Sequence, residues 1–256
     1  MSKEFGKYVR GGAPATEKFD MNREPIKQKR YMQPFYWGFS FFRRAIHLGK
    51  VNKIRMEGVK PPYILLCNHN AFFDFYVLGT AIAPYRGIFP AAVDDYIGRE
   101  RILRKLGTVP KRKYTADIGL LRQCRKALKD GQIFGIYAEA RYSLCGVTEV
   151  IPEAVGQLLK HQKVPVVTLT CRGNHIYDPF WGNHRKRMIM HMSADMTLAY
   201  TPEELKNATV DEISEKVKKL LYNDDFRWQS ENRIKNAYKK RAEGLHKVLY
   251  PVSYTH

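Results

Sequence analysis

A histidine and an aspartate lie five positions apart in a largely apolar stretch, CNHNAFFDFYVLG at residues 67–79. Burial of a charged group without a partner is unfavourable, so an ordinary core avoids both residue types. A carboxylate that holds one imidazole nitrogen leaves the other as a base, which can take a proton from a hydroxyl that attacks a carbonyl. His69 and Asp74 are therefore the candidate catalytic pair, and a purely structural pair is the alternative.

The spacing of this pair restricts the elements that can position it. On one regular helix, residues five apart lie about 140° out of register and do not share a face. His69 must therefore precede a helix, and Asp74 must lie in the first turn of that helix. The sequence allows this, because an apolar strand ends near Cys67 and the following NHN triplet has a loop composition. Open α/β sheets hold their sites at the carboxyl ends of such strands.

Beyond residue 51 the chain alternates strand-like and helix-like stretches. We predict strands over residues 62–67, 87–93, 132–137, 164–170 and 187–193, and helices near residues 72–82, 96–106, 115–129 and 153–161. Such alternation is typical of an α/β fold with a largely parallel central sheet flanked by helices. After Pro202 the pattern is helical and polar to the end of the sequence.

The N-terminal segment has a different composition. Residues 1–30 are polar and basic, and they predict a loosely held arm, whereas residues 31–48 combine many aromatic residues with two arginines. On an amphipathic helix these residue types suit a membrane interface, although a helix that packs its aromatic face on the core is the alternative. We therefore divide the chain into a basic arm with an interface helix, residues 1–48, and an α/β domain with C-terminal helices, residues 49–256.

Basic residues are in large excess. The 256 residues include 44 Lys and Arg against 25 Asp and Glu, a net charge of +19. Residues 1–55 carry 13 basic and 4 acidic side chains, and residues 99–129 carry 11 and 2. Such fields attract nucleic acid, anionic lipid headgroups or a phosphorylated substrate, and a merely basic solvated surface is the alternative.

Several classes of protein are not favoured. The four cysteines form no CxxC pair, which argues against a zinc site or a disulfide framework and suits a reducing cytoplasm. His175 and His184 lie in two GNH triplets, but we interpret them as incidental loop histidines rather than metal ligands. We see no signal peptide and no apolar run long enough to cross a bilayer. We expect no metal, no cofactor and no membrane span.

Four segments, in order, carry a recognisable pattern. The first is NHNAFFD, with Asn68 before His69 and Asp74 at its end. The second is GTVPKRK, which begins at Gly107 and ends at Lys113. The third is YAEARYS, and the fourth is VPVVTLT, an apolar strand with an early proline. Together they resemble the glycerolipid acyltransferases of the lysophosphatidic acid acyltransferase, or PlsC-like, type.

The resemblance covers about residues 50–200, with departures in the third block. Ala140 stands where the family usually has glycine, Arg141 comes one position early, and Tyr142 occupies the usual arginine position. The blocks that would hold the phosphate of the acceptor are therefore altered.

The resemblance implies an O-acyltransferase of phospholipid synthesis. Its donor would be acyl-CoA or acyl-carrier protein, and its acceptor a hydroxyl of a lysophospholipid such as 1-acylglycerol-3-phosphate. His69 would deprotonate that hydroxyl, and Asp74 would orient the imidazole. The residues implied to bind substrate are Asn68, Gly107, Lys111, Arg112, Lys113, Glu139 and Arg141.

Several of these roles have alternatives. The basic run 111–113 would hold a phosphate, or it is a solvated turn. Glu139 would bind a substrate hydroxyl or pair with a lysine, or it forms a salt bridge without a catalytic role. Backbone N–H groups near Gly107 or around Glu139–Arg141 are candidate donors to the oxyanion.

Two non-enzymatic functions compete with this interpretation. A nucleic-acid binder would need a known motif or interleaved basic and aromatic residues, and the sequence shows no such motif. A non-catalytic protein of anionic membrane surfaces would explain the charge and the aromatic helix, but not the four ordered blocks. We therefore expect an enzyme on the cytoplasmic face of a membrane, and we do not expect nucleic acid as a partner.

Overall fold

The structure is a computed structural model, and it describes residue 25 and residues 28–46, 49–96, 98–112, 118–182 and 191–247. Within these residues the chain forms seven strands and ten α-helices. The strands are β1 (Lys50–Ile54), β2 (Ile64–Cys67), β3 (Gly87–Ala92), β4 (Thr108–Lys111), β5 (Ile133–Tyr137), β6 (Val166–Arg172) and β7 (Ser193–Tyr200). The helices are α1 (Gln33–Ile46), α2 (Asp74–Ile82), α3 (Val93–Tyr96), α4 (Glu100–Lys105), α5 (Ile118–Lys129), α6 (Ala154–Lys160), α7 (Asn174–Tyr177), α8 (Pro202–Asn207), α9 (Val210–Leu221) and α10 (Asp225–Glu231).

All seven strands belong to one sheet, in the order β1-β7-β6-β2-β5-β3-β4. Every neighbouring pair is parallel except β6 and β7, which are antiparallel. The predicted α/β fold with a largely parallel sheet is therefore confirmed. Strand β2 lies near the centre, between β5 and β6, and its ILLC sequence is buried throughout, as is usual for a parallel strand covered on both faces.

The sheet separates two apolar cores. Because successive side chains of a strand point to opposite faces, Leu65 lies in one core and Leu66 in the other. Helix α2 contributes Val77 and Leu78 to the first core, whereas α5 and α9 pack on the second. The central strands are thus packed on both faces, and this packing fixes the positions of their carboxyl ends.

The edges of the sheet depart from the sequence prediction. Of the predicted strand at residues 187–193, residues 191 and 192 lie outside any strand and β7 begins at Ser193, whereas residues 187–190 lie outside the described part of the chain. The alternating burial of β7 was missed, because the neighbouring methionine-rich run is more apolar. Strands β1 and β4 are absent from the predicted strands. Strand β1 is mostly polar and exposed, and β4 contains Pro110, which has no N–H to donate to a neighbouring strand.

The predicted helices are confirmed close to their bounds, apart from a break between α3 and α4. The C-terminal part is less helical than predicted, because residues 232–244 form turns and irregular structure after α10. Among the described residues, no helix has the length and apolarity needed to cross a bilayer.

Helix α1 confirms the predicted N-terminal amphipathic helix, and it packs on α2. The ring of Tyr36 lies so close to Gly79 that a Cβ there would come within 2.6 Å of it, and Tyr36 Oη donates to the carbonyl of Phe75 at 3.1 Å. Most of the predicted arm, residues 1–24, lies outside the described residues, and the proposed boundary at residue 48 stays a prediction.

Candidate active site at the carboxyl ends of the central strands

The loop that follows β2 carries the candidate catalytic pair. His69 lies in this loop and Asp74 is the first residue of α2, which is the arrangement that their spacing predicts. The distance between His69 Nδ1 and Asp74 Oδ2 is 3.5 Å, and the two side chains are 15% and 1% exposed. This separation is longer than a hydrogen bond, as is common at catalytic pairs without bound substrate.

Hydrogen-bond donors surround the carboxylate of Asp74. Its Oδ2 accepts the backbone N–H groups of Asn70 and Ala71 at 2.7 and 2.9 Å. Its Oδ1 accepts the side-chain amide of Asn174 at 2.5 Å. These donors stabilise a buried negative charge at the start of α2 and fix the loop around His69.

Two tyrosine rings enclose the imidazole of His69. The ring centroid of Tyr137 lies 3.8 Å away at an interplanar angle of 17°, and that of Tyr142 lies 3.9 Å away at 32°. Tyr142 in turn stacks with Phe180, with centroids 5.9 Å apart. Since Nδ1 is turned to Asp74, Nε2 is the nitrogen available to a substrate.

Within the described residues, the carboxylate of Glu139 binds backbone groups and pairs with no lysine. Its Oε1 accepts the N–H of His69 at 2.8 Å, and its Oε2 accepts the N–H of Glu149 at 2.7 Å. Burial raises the pKa of this carboxyl to about 7. Glu139 therefore ties the His69 loop to the segment around Glu149, and the predicted contact with a substrate stays a prediction.

The altered third block contains a residue in a left-handed conformation. Ala140 has a φ of +59°, which favours glycine, the residue that the family usually has at this position. Arg141 is half-exposed, and its guanidinium pairs with the carboxylate of Glu149 at 2.7 Å. Its predicted role in substrate binding stays a prediction.

Asn68 and Gly107 have structural contacts. Asn68 is fully buried, and its amide bonds both the N–H and the carbonyl of Cys171 at 2.8 Å, which joins the end of β2 to β6. Gly107 has a φ of +82°, and its N–H donates to the carbonyl of Arg104, so this N–H is not a donor for an oxyanion. Their predicted substrate contacts stay predictions.

The basic run, residues 111–113, lies at the carboxyl end of another strand, β4. Lys111 ends β4 and is partly buried, Arg112 is exposed, and Lys113 lies outside the described residues. Because β4 is three positions from β2 in the sheet, the strand end that carries Lys111 lies about 14 Å from the end of β2. The structure therefore does not bring Lys111 or Arg112, the described residues of this run, into contact with His69.

Residues that sequence reasoning missed lie behind Asp74. Asn174, Asp225 and Asn70 are fully buried there. His175 is also buried in α7, so its interpretation as an incidental loop residue is wrong, and burial lowers its pKa. Among the described residues, no group of three or more His, Cys, Asp or Glu could hold a metal ion. Asn174 lies 100 positions from Asp74, and Asp225 lies 155 positions from Asn70. No local pattern in the sequence therefore predicts that these residues meet.

Comparisons with known proteins identify a family and a similar fold. Residues 45–172 match the model of a family described as Acyltransferase. The crystal structure of the 1-acyl-sn-glycerophosphate (LPA) acyltransferase PlsC from Thermotoga maritima has a similar fold, with a TM-score of 0.59 and 18% identity, over 82% of this chain and 83% of that one. A comparison with curated proteins gave no match.

Proposed function

This chain belongs to the acyltransferase family, and from that premise we propose that it transfers a fatty acyl group from acyl-CoA or acyl-carrier protein to a hydroxyl of a lysophospholipid. The observation that carries the proposal is the imidazole of His69 held 3.5 Å from the buried carboxylate of Asp74, at the end of a central strand. The similar fold of a 1-acyl-sn-glycerophosphate acyltransferase supports 1-acylglycerol-3-phosphate or a related lipid as the acceptor.

In the proposed mechanism, His69 acts as a general base. Its Nε2 accepts the proton of the acceptor hydroxyl while that oxygen bonds to the carbonyl carbon of the thioester. The tetrahedral intermediate then expels the thiolate, which takes the proton from the imidazolium, and an ester and a thiol are released. Asp74 supports the imidazolium through the side of the ring that carries Nδ1. The mechanism needs no acyl-enzyme.

The two tyrosines support the same step. An aromatic face attracts a cation, so Tyr137 and Tyr142 on either side of His69 stabilise the imidazolium that forms when the hydroxyl loses its proton. They also restrict rotation of the ring. Preorganisation of this kind leaves little rearrangement for the reaction itself.

The basic residues suit the anionic groups of the substrates. Lys111 and Arg112 lie on the edge of the sheet that also carries His69, and an extended donor or acceptor can span about 14 Å between them. We propose that they and Arg141 contribute to the binding of phosphorylated substrate, and that Glu139 accepts a hydrogen bond from a substrate hydroxyl. Tyr142, at the usual arginine position, leaves the exact acceptor to be found by assay.

An apolar surface beside the site supports docking on a membrane. Phe35, Phe39 and Phe42 of α1 are 77%, 52% and 61% exposed. Phe72, from the loop between His69 and Asp74, is 48% exposed, and its ring and that of Phe39 both contact Tyr76. This surface therefore reaches from α1 to the catalytic loop. We propose that it enters the cytoplasmic face of an anionic membrane, attracted by the basic charge, and receives the lipid there.

A substrate panel tests the proposal. Purified protein is assayed against lysophospholipids, with acyl-CoA and acyl-carrier protein as donors. We expect turnover that His69→Ala abolishes while binding to anionic vesicles persists, and His161→Ala, at an exposed histidine, serves as the control. A non-catalytic binder of anionic membranes would show no turnover with any pair of substrates, and this result would contradict the proposal.

A further inference from the structure

We infer that Asn174 is a positioning residue for the reaction, which holds Asp74 against His69, and that Asp225 fixes Asn174 in turn. The inference rests on the proposed function, because it assigns a task to Asp74. Asn174 follows the last residue of the family match, residue 172, and Asp225 lies far beyond it. The four ordered blocks therefore do not include either residue.

The contact between Asn174 and Asp74 is direct. The side-chain N–H of Asn174 donates to Asp74 Oδ1 at 2.5 Å, and both residues are essentially inaccessible to solvent. In the described part of the chain, this amide is the donor that reaches Oδ1, since the backbone donors of Asn70 and Ala71 go to Oδ2. Asn174 thus holds one oxygen of the carboxylate while the two backbone N–H groups hold the other, and together they set the direction in which Oδ2 faces His69.

The oxygen of the same amide has no hydrogen-bond partner among the described residues. A buried polar atom without a partner lowers stability, so a residue kept only for folding would be expected to satisfy both ends of its side chain. An amide that is satisfied only on the side of Asp74 fits a residue retained for catalysis.

Asp225 builds the turn that presents Asn174. Its Oδ1 accepts the N–H of Gly173 at 2.7 Å, and its Oδ2 accepts the N–H of His175 at 2.8 Å. The carboxylate therefore bonds the backbone on both sides of Asn174. Asn223 donates to the same Oδ1 at 2.7 Å, and burial raises the pKa of Asp225 to about 6. A second buried carboxyl thus holds the residue that orients the first.

Two substitutions of Asn174 separate positioning from folding. We expect Asn174→Ala to lower kcat by about tenfold or more at unchanged KM, because a hydrogen bond to a charged group is lost while substrate contacts remain. Asn174→Asp keeps the size of the side chain, but its carboxyl can donate to Asp74 only while protonated. Two adjacent carboxyls resist double ionisation, so we expect the deficit of this variant to grow as the pH rises from 5.5 to 8.5.

Tyr200→Phe is the matched control. Tyr200 is also buried, and its hydroxyl donates to the carbonyl of Glu212 at 3.1 Å. It pairs with Val166 at the start of β6, at the end of the sheet opposite to His69. We expect this variant to keep the wild-type kcat. Thermal unfolding of each variant reports any loss of folded protein at the assay temperature.

The outcomes distinguish the inference from the proposed function. A wild-type protein without turnover on the substrate panel would contradict both. A wild-type protein that turns over, with Asn174→Ala at the same kcat, would contradict the inference alone. A deficit of Asn174→Asp that stays constant across the pH range would also overturn it, because a merely structural role requires no such dependence.

Discussion

The loop that carries His69 and helix α1 lie side by side, yet the loop buries polar side chains whereas α1 exposes apolar ones. In the loop, Asn68 and Asn70 are fully buried, and their amides bond the backbone of β6. In α1, Phe35 and Phe42 are mostly exposed. Chemistry requires a fixed geometry, which buried hydrogen bonds supply, whereas docking on lipid requires apolar area that stays uncovered until a membrane covers it. In the proposed function, these two requirements fall on two adjacent segments.

A substitution in the buried loop should have the largest effect on activity. Asp74→Asn should lower kcat by about 10³–10⁴-fold, because a neutral amide does not support the imidazolium of His69. Steady-state kinetics measure the loss. Asp195→Asn is the control, since Asp195 is an ion-paired carboxylate bound to Arg172 outside the site. Equal losses in the two variants would contradict the special role of Asp74.

Breaking the exposed side should weaken membrane binding instead. We expect the double variant Phe35→Ser, Phe42→Ser to raise the Kd for anionic vesicles by about tenfold or more, since burial of one Phe contributes about 1.5–3 kcal/mol. Vesicle sedimentation measures the change. The control is Tyr222→Ser, at a residue that is 57% exposed outside α1. An unchanged Kd in the double variant would place the docking surface elsewhere.

The buried side also predicts how stability depends on pH. The pKa of Glu139 is raised from 4.5 to about 7, so the native state holds a proton that the unfolded state has lost between these pH values. The free energy of unfolding should therefore fall as the pH rises through this range, by up to about 3 kcal/mol for this group.

Urea unfolding of Glu139→Gln checks the assignment. We expect a smaller fall in the free energy of unfolding between pH 6 and 8 than in the wild type, while part of the slope at lower pH remains from Asp225. Glu215→Gln, at an exposed carboxyl, should keep the wild-type slope. The same slope in Glu139→Gln as in the wild type would contradict the prediction.

The smallest effect is expected at the turn of the third block. Ala140→Gly should raise the free energy of unfolding by roughly 0.5–1 kcal/mol, because glycine adopts the positive φ of this position without strain. The control is Ala127→Gly in the last turn of α5, where the methyl group is buried, and this change should lower the free energy of unfolding by about 1 kcal/mol or more. Urea unfolding measures both. A lower free energy of unfolding in Ala140→Gly than in the wild type would contradict backbone strain at residue 140.

The fold was predictable where apolar runs are buried on both sides. The central strands β2, β5 and β6 follow from such runs, whereas β1 at the sheet edge is polar and has no comparable pattern. Likewise, the placement of His69 in a loop and Asp74 in a first helical turn followed from the helical period alone. The local sequence therefore predicts those features that depend on short-range geometry, such as a buried strand or the first turn of a helix.

The surroundings of the pair were not predictable in the same way. Asn174 reaches Asp74 across 100 positions, and Asp225 reaches Asn70 across 155 positions. Such contacts depend on the order of strands in the sheet, which no local period encodes. Tyr142 illustrates the same limit, because only the folded turn shows that its ring covers His69.

The antiparallel direction of β7 determines where the sequence can accept an insertion close to the site. A parallel crossover after β6 would carry the chain back to the far end of the sheet. Here, because Arg172 pairs with Ser193, the connection between β6 and β7 leaves and returns at the edge that holds His69. This segment includes Asn174 and Phe180. Insertion or replacement in the part of this segment that follows Asn174 is therefore expected to alter substrate preference while the sheet keeps its register.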